Sequence, residues 1–540
     1  MTRSKTFITI LFSICFPIFV WGQGIIAPKF IDNQVFWSND TIIFDTTLTI
    51  LHNGRLNVGE NTVLLFHEGF GLVCYGKLGM IGSSEEPIIL SNTGGQNPGI
   101  DSSYLGSWSG ISIFGDSSKV DTFKFVNFQF SNAKGTVGFG ENGDGGALYL
   151  VKNNIYFIEN CLFNNNFSLN SGGAIFCEKS KLHLKKCTFL SNRCLNGSGG
   201  AISLEPASRS VIEESIFISN FSGGDISGFT EETVNKAGAI EIRYPGGWLN
   251  LYNNIFANNI SNSTIWSSSS KTVISGNLIV NNYGLAYFLG NTYSEDWIFN
   301  NTIMNNEGRG LNIYSKNAII ANNYLAGNIK STMLGQPFTT DLYFYDKDPT
   351  FDNVFNNSFR SVNTSLSYIN EDLWKFHDNN YIGDYYLQDT SILIGLSDNG
   401  AEYKWNLKDD SSLSAKGSVE EFILENLPEY DINGTKRMKN GSLDIGALEI
   451  DDHLKIYINE NPIAILYPSV TDDLVFINKI ATEFNKIAFI EIYNLSGKLL
   501  SKEYLIDGLN SISLSQFQSG LLAINIICGL EKVAFRVIKI

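Results

Sequence analysis

Three successive stretches decide how this chain folds: GGALYLVKNNIYFIENCLFNNN (145–166), GGAIFCEKSKLHLKKCTFLSN (172–192) and GGAISLEPASRSVIEESIFISN (199–220). Self-similarity at roughly 20–30 residues marks a solenoid, in which each repeat buries its apolar face only by stacking on its neighbours. The register extends beyond these three. Cys161, Cys187, Ser215, Asn254, Asn277, Asn301 and Asn323 occupy one position in seven coils. Five residues later there is always an asparagine: Asn166, Asn192, Asn220, Asn259, Asn282, Asn306 and Asn328. Two residues later stand Phe163, Phe189, Phe217, Phe256, Ile279, Ile303 and Leu325, and three residues earlier Ile158, Leu184, Ile212, Leu251, Ile274, Ile298 and Ile320.

Successive coils are 26, 28, 39, 23, 24 and 22 residues long, and the longest carries the insertion 222–238, which reads as a surface loop. No 3.6-residue stripe runs through them. β-branched and aromatic residues between Gly and Asn turns predict short strands. Strands recurring at this period describe a parallel β-helix whose coils stack about 4.8 Å apart, like residue above like. The Asn column is expected to be a ladder of side-chain amides at a turn, where Asn also tolerates left-handed backbone. Asn132 is expected to be its first rung.

The 540 residues suffice for more than one domain. Only 17% are charged and 50 are glycine, which suits a repetitive β protein, and the net charge of −16 argues against nucleic acid or an anionic membrane as partner. Arg3 and Lys5 precede an apolar run from Phe7 to Val20, with Gly22 before Gln23, so residues 1–22 read as an export signal. The run is short for a membrane anchor and broken by Pro17. It also continues past Cys15, and Ile14 is not small, which disfavours lipidation. No other segment reads as a membrane span. Of the remaining cysteines, Cys161 and Cys187 share a register on consecutive coils and are expected to be stacked buried thiols, not a bridge. Whether Cys177 pairs with Cys194 the sequence leaves open.

Residues 24–110 continue the β pattern less regularly. Gly76, Leu78, Gly82, Pro87, Ile88 and Ser91, followed by Trp108, Gly110 and Ile111, resemble the opening of secreted bacterial right-handed β-helix proteins. The GGA-I and F-x-x-N phrases resemble, more weakly, repeats of polymorphic outer-membrane adhesins. From about 331 to 450 the ladder fades into a region expected to cap the solenoid. There YYLQDTSILIGLSDNG (385–400) and LPEYDINGTKRMKNGSLDIGALE (427–449) resemble the end of choice-of-anchor Q β-helix proteins. The second keeps Asp431, Gly434, Arg437, Asp444, Ile445, Gly446, Ala447 and Glu449, while the first lacks that group's Pro and Asp.

Residues 451–462 read as a linker, and 463–540 as alternating strands of a small β-sandwich. Tyr467, Pro468, Gly497, Leu514, Gly520, Val537, Ile538 and Lys539 resemble the type A C-terminal sorting domain of type IX secretion, departing from it at Ser469 and Val470. The resemblance implies handling by the type IX machinery, removal of this domain, and release or display at the outer surface of a Gram-negative bacterium. The fold class expected is therefore all-β: a right-handed parallel β-helix (23–450) followed by a small β-sandwich.

Parallel β-helices also host enzymes. A lyase needs a basic residue near an acidic substrate, usually with calcium held by stacked carboxylates. An inverting hydrolase needs carboxylates about 6.5–9.5 Å apart. The aligned columns offer no such pair. The position before the register residue (Asn160, Lys186, Glu214, Asn253, Gly276, Asn300, Asn322) reads as a mixed solvated face. His52, His67, His183, His377 and His453 fall in unrelated registers, His183 pointing outward. Asp341, Asp346, Asp348 and Asp352, and separately Glu141 and Asp144, could hold a cation but read better as solvated loops. The doublets Asp409-Asp410, Asp451-Asp452 and Asp472-Asp473 read as wet turns.

No catalytic, cofactor-binding or metal residue is assigned. The function expected is a non-catalytic, exported, monomeric protein acting in adhesion or in glycan or protein binding. The alternative is a polysaccharide lyase or glycoside hydrolase with its site in the cap or the 222–238 loop.

Overall fold

The computed structural model describes residues 24–344 apart from loops (the longest 99–106, 136–142, 224–235 and 329–340), isolated pieces between 354 and 447, and most of 464–539. The export signal, the linker, the 385–400 phrase, Glu141, Asp346, Asp348, Asp352, the three Asp doublets, His377 and His453 lie outside the described residues.

The chain forms a right-handed parallel β-helix, the sense that parallel crossovers take almost without exception. Three sheets of 12, 14 and 16 strands run along it. Each coil passes through them in turn. An entry-sheet strand (Ile155–Glu159, Lys181–Lys185, Arg209–Glu213, Trp248–Tyr252) leads to a middle-sheet strand (Leu162–Asn164, Thr188–Leu190, Ile216–Ile218, Ile255–Ala257). The return sheet follows (Ile175–Cys177, Ile202–Leu204, Ala237–Ile242). The pairing puts Ile158, Leu184, Ile212 and Leu251 in one vertical row and Phe163, Phe189, Phe217 and Phe256 in another.

Those rows point inward and are fully buried. The phenyl rings stack face to face at centroid distances of 4.8, 4.7 and 4.8 Å. The stack continues backward through Phe130, Trp108, Phe66 and Phe44. Trp108 is thus a core plug of the irregular opening, and its indole N–H donates to the Ser131 carbonyl at 2.8 Å.

The turn between middle and return sheets carries the expected amide ladder, with every valence used. The Asn259 side-chain oxygen accepts from the Asn220 backbone N–H (3.0 Å) and side-chain amide (2.9 Å), while its own amide donates to the Phe217 carbonyl and to Asn282, both at 2.9 Å. An amide has two donor hydrogens and two acceptor lone pairs, so this buried group is fully satisfied. The column that fixed the register is a second ladder. Asn254, Asn277, Asn301 and Asn323 repeat the same bonds, and Ser215 accepts from the Cys187 N–H.

Two expectations are corrected here. The left-handed residue is the one before each ladder position: Asn160, Lys186, Glu214, Asn253, Gly276, Asn300 and Asn322 at the first turn, and Asn132, Asn165, Ser191, Ser219, Asn258, Asn281 and Asn305 at the second. Asn suits such positions because its short polar side chain tolerates positive φ. In the first column Asn160, Lys186 and Glu214 are solvated as expected, Asn253, Asn300 and Asn322 are buried, and all share the left-handed backbone. Asn132 belongs to this column, one residue off the ladder. Ala133 holds the ladder position and donates its N–H to Asn166, so Asn166 is the first rung.

The five described solenoid cysteines, Cys74, Cys161, Cys177, Cys187 and Cys194, are free and buried, as expected for Cys161 and Cys187. The GGA phrases turn the chain into the return sheet. Gly172 has φ of +68°, and a Cβ on Gly173 would lie 2.1 Å from the Gly200 carbonyl oxygen of the next coil, so both need glycine.

The Asn ladder ends at Asn328 as expected, while the parallel sheets run on past 331. Leu342–Phe344 continues the return sheet, Val354–Phe355 the entry sheet, and Asn357–Phe359 and Trp374–Lys375 the middle sheet. The C-terminal residues form a three-stranded antiparallel sheet and a five-stranded sheet. Ile490, Ile492, Ile524 and Ile526 are buried, and Ile538 pairs in parallel with Val470, tying the terminal phrase to the strand after Tyr467.

Candidate functional site

The outer face of the entry sheet is where the solenoid presents chemistry to solvent. Strands at 181–185, 209–213 and 248–252 share one pattern of burial, with the second and fourth residues buried and the others outward. Parallel register then builds two outward columns. One runs Ile155, Lys181, Arg209, Trp248, and the other Lys124, Phe157, His183, Val211.

Phe157 and Trp248 are 42% and 44% exposed, and Phe36, on an earlier coil of the same sheet, is 66% exposed. His183 stacks on Phe157 with centroids 4.9 Å apart, and the Arg209 guanidinium lies 4.5 Å from the Trp248 ring centre. Burial, followed by the charge of Lys181, holds the His183 imidazole below its ordinary value, against the pull of Glu213. The ring is therefore mostly neutral near pH 7.

The cations divide into two sets. Lys185 bridges Glu213 and Glu214 at 3.1 Å, Lys271 faces Glu295 at 3.7 Å, and Lys77 pairs with Asp121. Among the described residues, Lys124, Lys181 and Arg209 make no ion pair.

Further along, the same face changes character. Val273, Trp297, Phe299, Ile319 and Ala321 form a buried cluster outside the sheet, packed against Tyr252 and Leu427. The covering chain is the phrase around Arg437. Its buried guanidinium donates to the Ala447 carbonyl at 2.6 Å and to the Asn253 side chain at 3.4 Å. Asn253 donates to the Tyr430 carbonyl, Gly446 to the Asn322 carbonyl and Ala447 to the Thr302 hydroxyl, at 2.7, 3.0 and 2.9 Å. The Asp-x-x-Gly-x-x-Arg phrase is thus a strap along the side of the coils.

The return sheet holds an acidic group that the sequence reading missed, because that reading was anchored on the other two sheets. The phrases IFCE, ISLE and IEIR place Glu178, Glu205 and Arg243 in one outward column, with Glu241 beside them. The signal was present in the spacing of each acid from the GGA phrase. Glu241 is wholly buried and accepts from Arg243 at 2.6 Å and Ser203 at 3.3 Å. Burial pushes its carboxyl up to about 7 against the pull of Arg243, and burial likewise raises Glu205. A carboxyl with no exposed surface cannot touch a polymeric substrate.

Asp144 accepts from the Ser171 N–H at 2.9 Å and so fixes the turn of the next coil. Asp341 is buried and takes the last ladder place, accepting from the Asn328 backbone and side chain at 3.2 and 2.9 Å, so it is no solvated loop residue. Among the described residues no cluster of His, Cys, Asp or Glu has the arrangement of a metal site, and no helix is long and apolar enough to cross a membrane.

No family model, no curated protein and no solved structure matches this chain.

Proposed function

We propose that this is an exported, non-catalytic β-helix protein that binds glycan or protein through the open half of its entry-sheet face. Export is argued from the apolar run behind Arg3 and Lys5 and from the C-terminal phrases that resemble a type IX sorting domain. Together they imply display or release at the outer surface of a Gram-negative bacterium, with the type IX machinery as a partner. The resemblance to choice-of-anchor Q proteins stands on the phrase now seen strapping the solenoid.

The observation that carries the binding reading is the pair of half-exposed rings, Phe157 and Trp248, on a flat, rigid sheet. Exposed aromatics on a fixed scaffold are recognition surfaces, since they lose little entropy on binding. The full chain should be retained on an immobilised glycan panel, and Trp248→Ala should abolish retention without unfolding. Retention of Trp248→Ala at the wild-type level would discard this face as the site.

Polysaccharide cleavage is a second reading, favoured by one observation: Glu205, a carboxyl raised by burial, stands in the coil just before the 222–238 insertion. Unsaturated products or new reducing ends released by the full chain, and lost in Glu205→Gln, would establish it.

A further inference from the structure

We infer that the open entry-sheet face takes an extended acidic polysaccharide, its carboxylate or sulfate groups held by Lys124, Lys181 and Arg209 and its sugar faces stacked on Phe157 and Trp248. This rests on the binding reading above and specifies its ligand.

The first argument is the distribution of charge. The chain carries a net −16, yet these three cations stand outward without a carboxylate partner among the described residues. Neighbouring lysines on the same sheet are neutralised by Glu213, Glu214 and Glu295. Three unneutralised cations on one face of an acidic protein form a local field that selects an anion.

The second is geometry. The strands carrying Lys124, Phe157, Lys181, Arg209 and Trp248 are consecutive coils, so the row extends about 19 Å along the solenoid. Coil by coil they run Lys, Phe, Lys, Arg and Trp, spread over two adjacent outward columns. A ligand that alternates apolar ring faces with anionic groups matches it, and a small sugar would leave most of the row unused. Arg209, 4.5 Å from the Trp248 ring centre, has guanidinium N–H groups for a bidentate contact with a carboxylate or sulfate.

The third argument separates the polyanions. Duplex nucleic acid carries a charge about every 1.7 Å, far more than three cations on one face can match, and the rest of the acidic chain repels so dense an anion most strongly. A polysaccharide with one anionic group per sugar or per disaccharide is repelled less and is closer to the spacing of the three cations.

The test uses the full chain with polygalacturonate, chondroitin sulfate, a neutral glucan and duplex DNA as probes, by affinity electrophoresis at two salt concentrations. Retention by one or both acidic glycans, weakened by salt, is expected. The triple variant K124Q/K181Q/R209Q should weaken it about tenfold or more, as the loss of three partly solvated charge contacts implies. Lys185→Gln removes a charge that Glu213 and Glu214 already neutralise, and although it leaves those carboxylates uncompensated it should weaken binding much less than the triple variant. Circular dichroism checks that each variant keeps its fold.

Binding to the neutral glucan alone, or equal loss in Lys185→Gln and the triple variant, would overturn the acidic-ligand inference and leave glycan binding standing. Binding to DNA as tight as to the acidic glycans would also overturn it. No retention on any glycan would overturn both.

Discussion

One sheet face is covered along part of its length and open along the rest. In the later coils its outward residues are Val273, Trp297 and Ile319, buried under Leu427 and the strap around Arg437. In the earlier coils they are Lys124, Phe157, Lys181, Arg209 and Trp248, and nothing described covers them. The backbone, the amide ladders and the interior phenyl stack are continuous under both halves. What differs is only which side chains point out. A parallel sheet therefore uses its outer face as a second core where an apolar run meets a returning segment. Where isolated rings sit among unpaired cations, the same face is open, and there we propose the recognition surface.

Trp248 and Trp297 give the sharpest contrast, since both point outward from the same sheet, 44% and 2% exposed. Trp297→Ala should destabilise the solenoid by about 3–5 kcal/mol, because it empties a packed site. Trp248→Ala should shift stability by less than about 1 kcal/mol while removing glycan retention. Paired thermal melts check this, and equal shifts would erase the distinction between the halves.

Arg437→Ala should free the strap, since it removes the buried donor to Ala447 and Asn253. Lost hydrogen bonds of a charged group are worth about 1.5–3 kcal/mol each. Limited proteolysis should then cut within 426–447, and apolar-dye binding should rise as Trp297 is uncovered. A strap equally protected in the variant would mean that Leu427 and the backbone bonds hold it alone.

Beneath both halves, Asn259→Ala should destabilise by about 1–3 kcal/mol, because it strands the Asn220 donors and the Phe217 carbonyl in a dry turn. Its expected effect on glycan affinity at temperatures where the fold is intact is nil.

Stability should also depend on pH through the two buried carboxyls. Burial raises both Glu241 and Asp296 to about 7 in the folded chain, from ordinary values of 4.5 and 3.8. Below about pH 4 both states hold these protons and nothing changes. Between about pH 4 and 7 the folded state keeps protons that the unfolded state releases, so stability falls as pH rises, on the order of a few kcal/mol for each group. Glu241→Gln and Asp296→Asn should each flatten part of that slope in melts across this range. A slope unaltered by both would place the titrating groups elsewhere.

The smallest effect belongs to His183, held below its ordinary value by burial and Lys181. Protonation adds a cation to the open face, so acidic-glycan binding should strengthen modestly as pH falls through the acid range and lose that increment in His183→Gln.

Much of this was legible in the sequence because vertical neighbours in a parallel stack are identical positions of successive repeats. Alignment alone found the Phe row, the Asn ladder and the stacked cysteines. It misplaced Asn132 by one residue because two adjacent asparagines, one left-handed and one laddering, recur at several turns, as at Asn165-Asn166 and Asn258-Asn259. Asp341 was misjudged because a ladder terminator looks like any loop acid until its depth is known. The acids of the return sheet, Glu178, Glu205 and Glu241, escaped because columns were compared from one anchor only. The strap contacts of Arg437 could not be found by repetition at all, since a lateral contact between residues about 180 positions apart leaves no period. The open face needed both parity and knowledge of what covers the sheet, and only the first is written in the repeats.

The most direct test of the two-sided sheet is lysine acetylation of the full chain, read by mass spectrometry with and without polygalacturonate. The account predicts protection of Lys124 and Lys181 by the glycan while Lys185, Lys186 and Lys436 label as before. Unchanged labelling of Lys124 and Lys181 under conditions where the glycan is bound would contradict it, and would move the binding surface off the entry sheet.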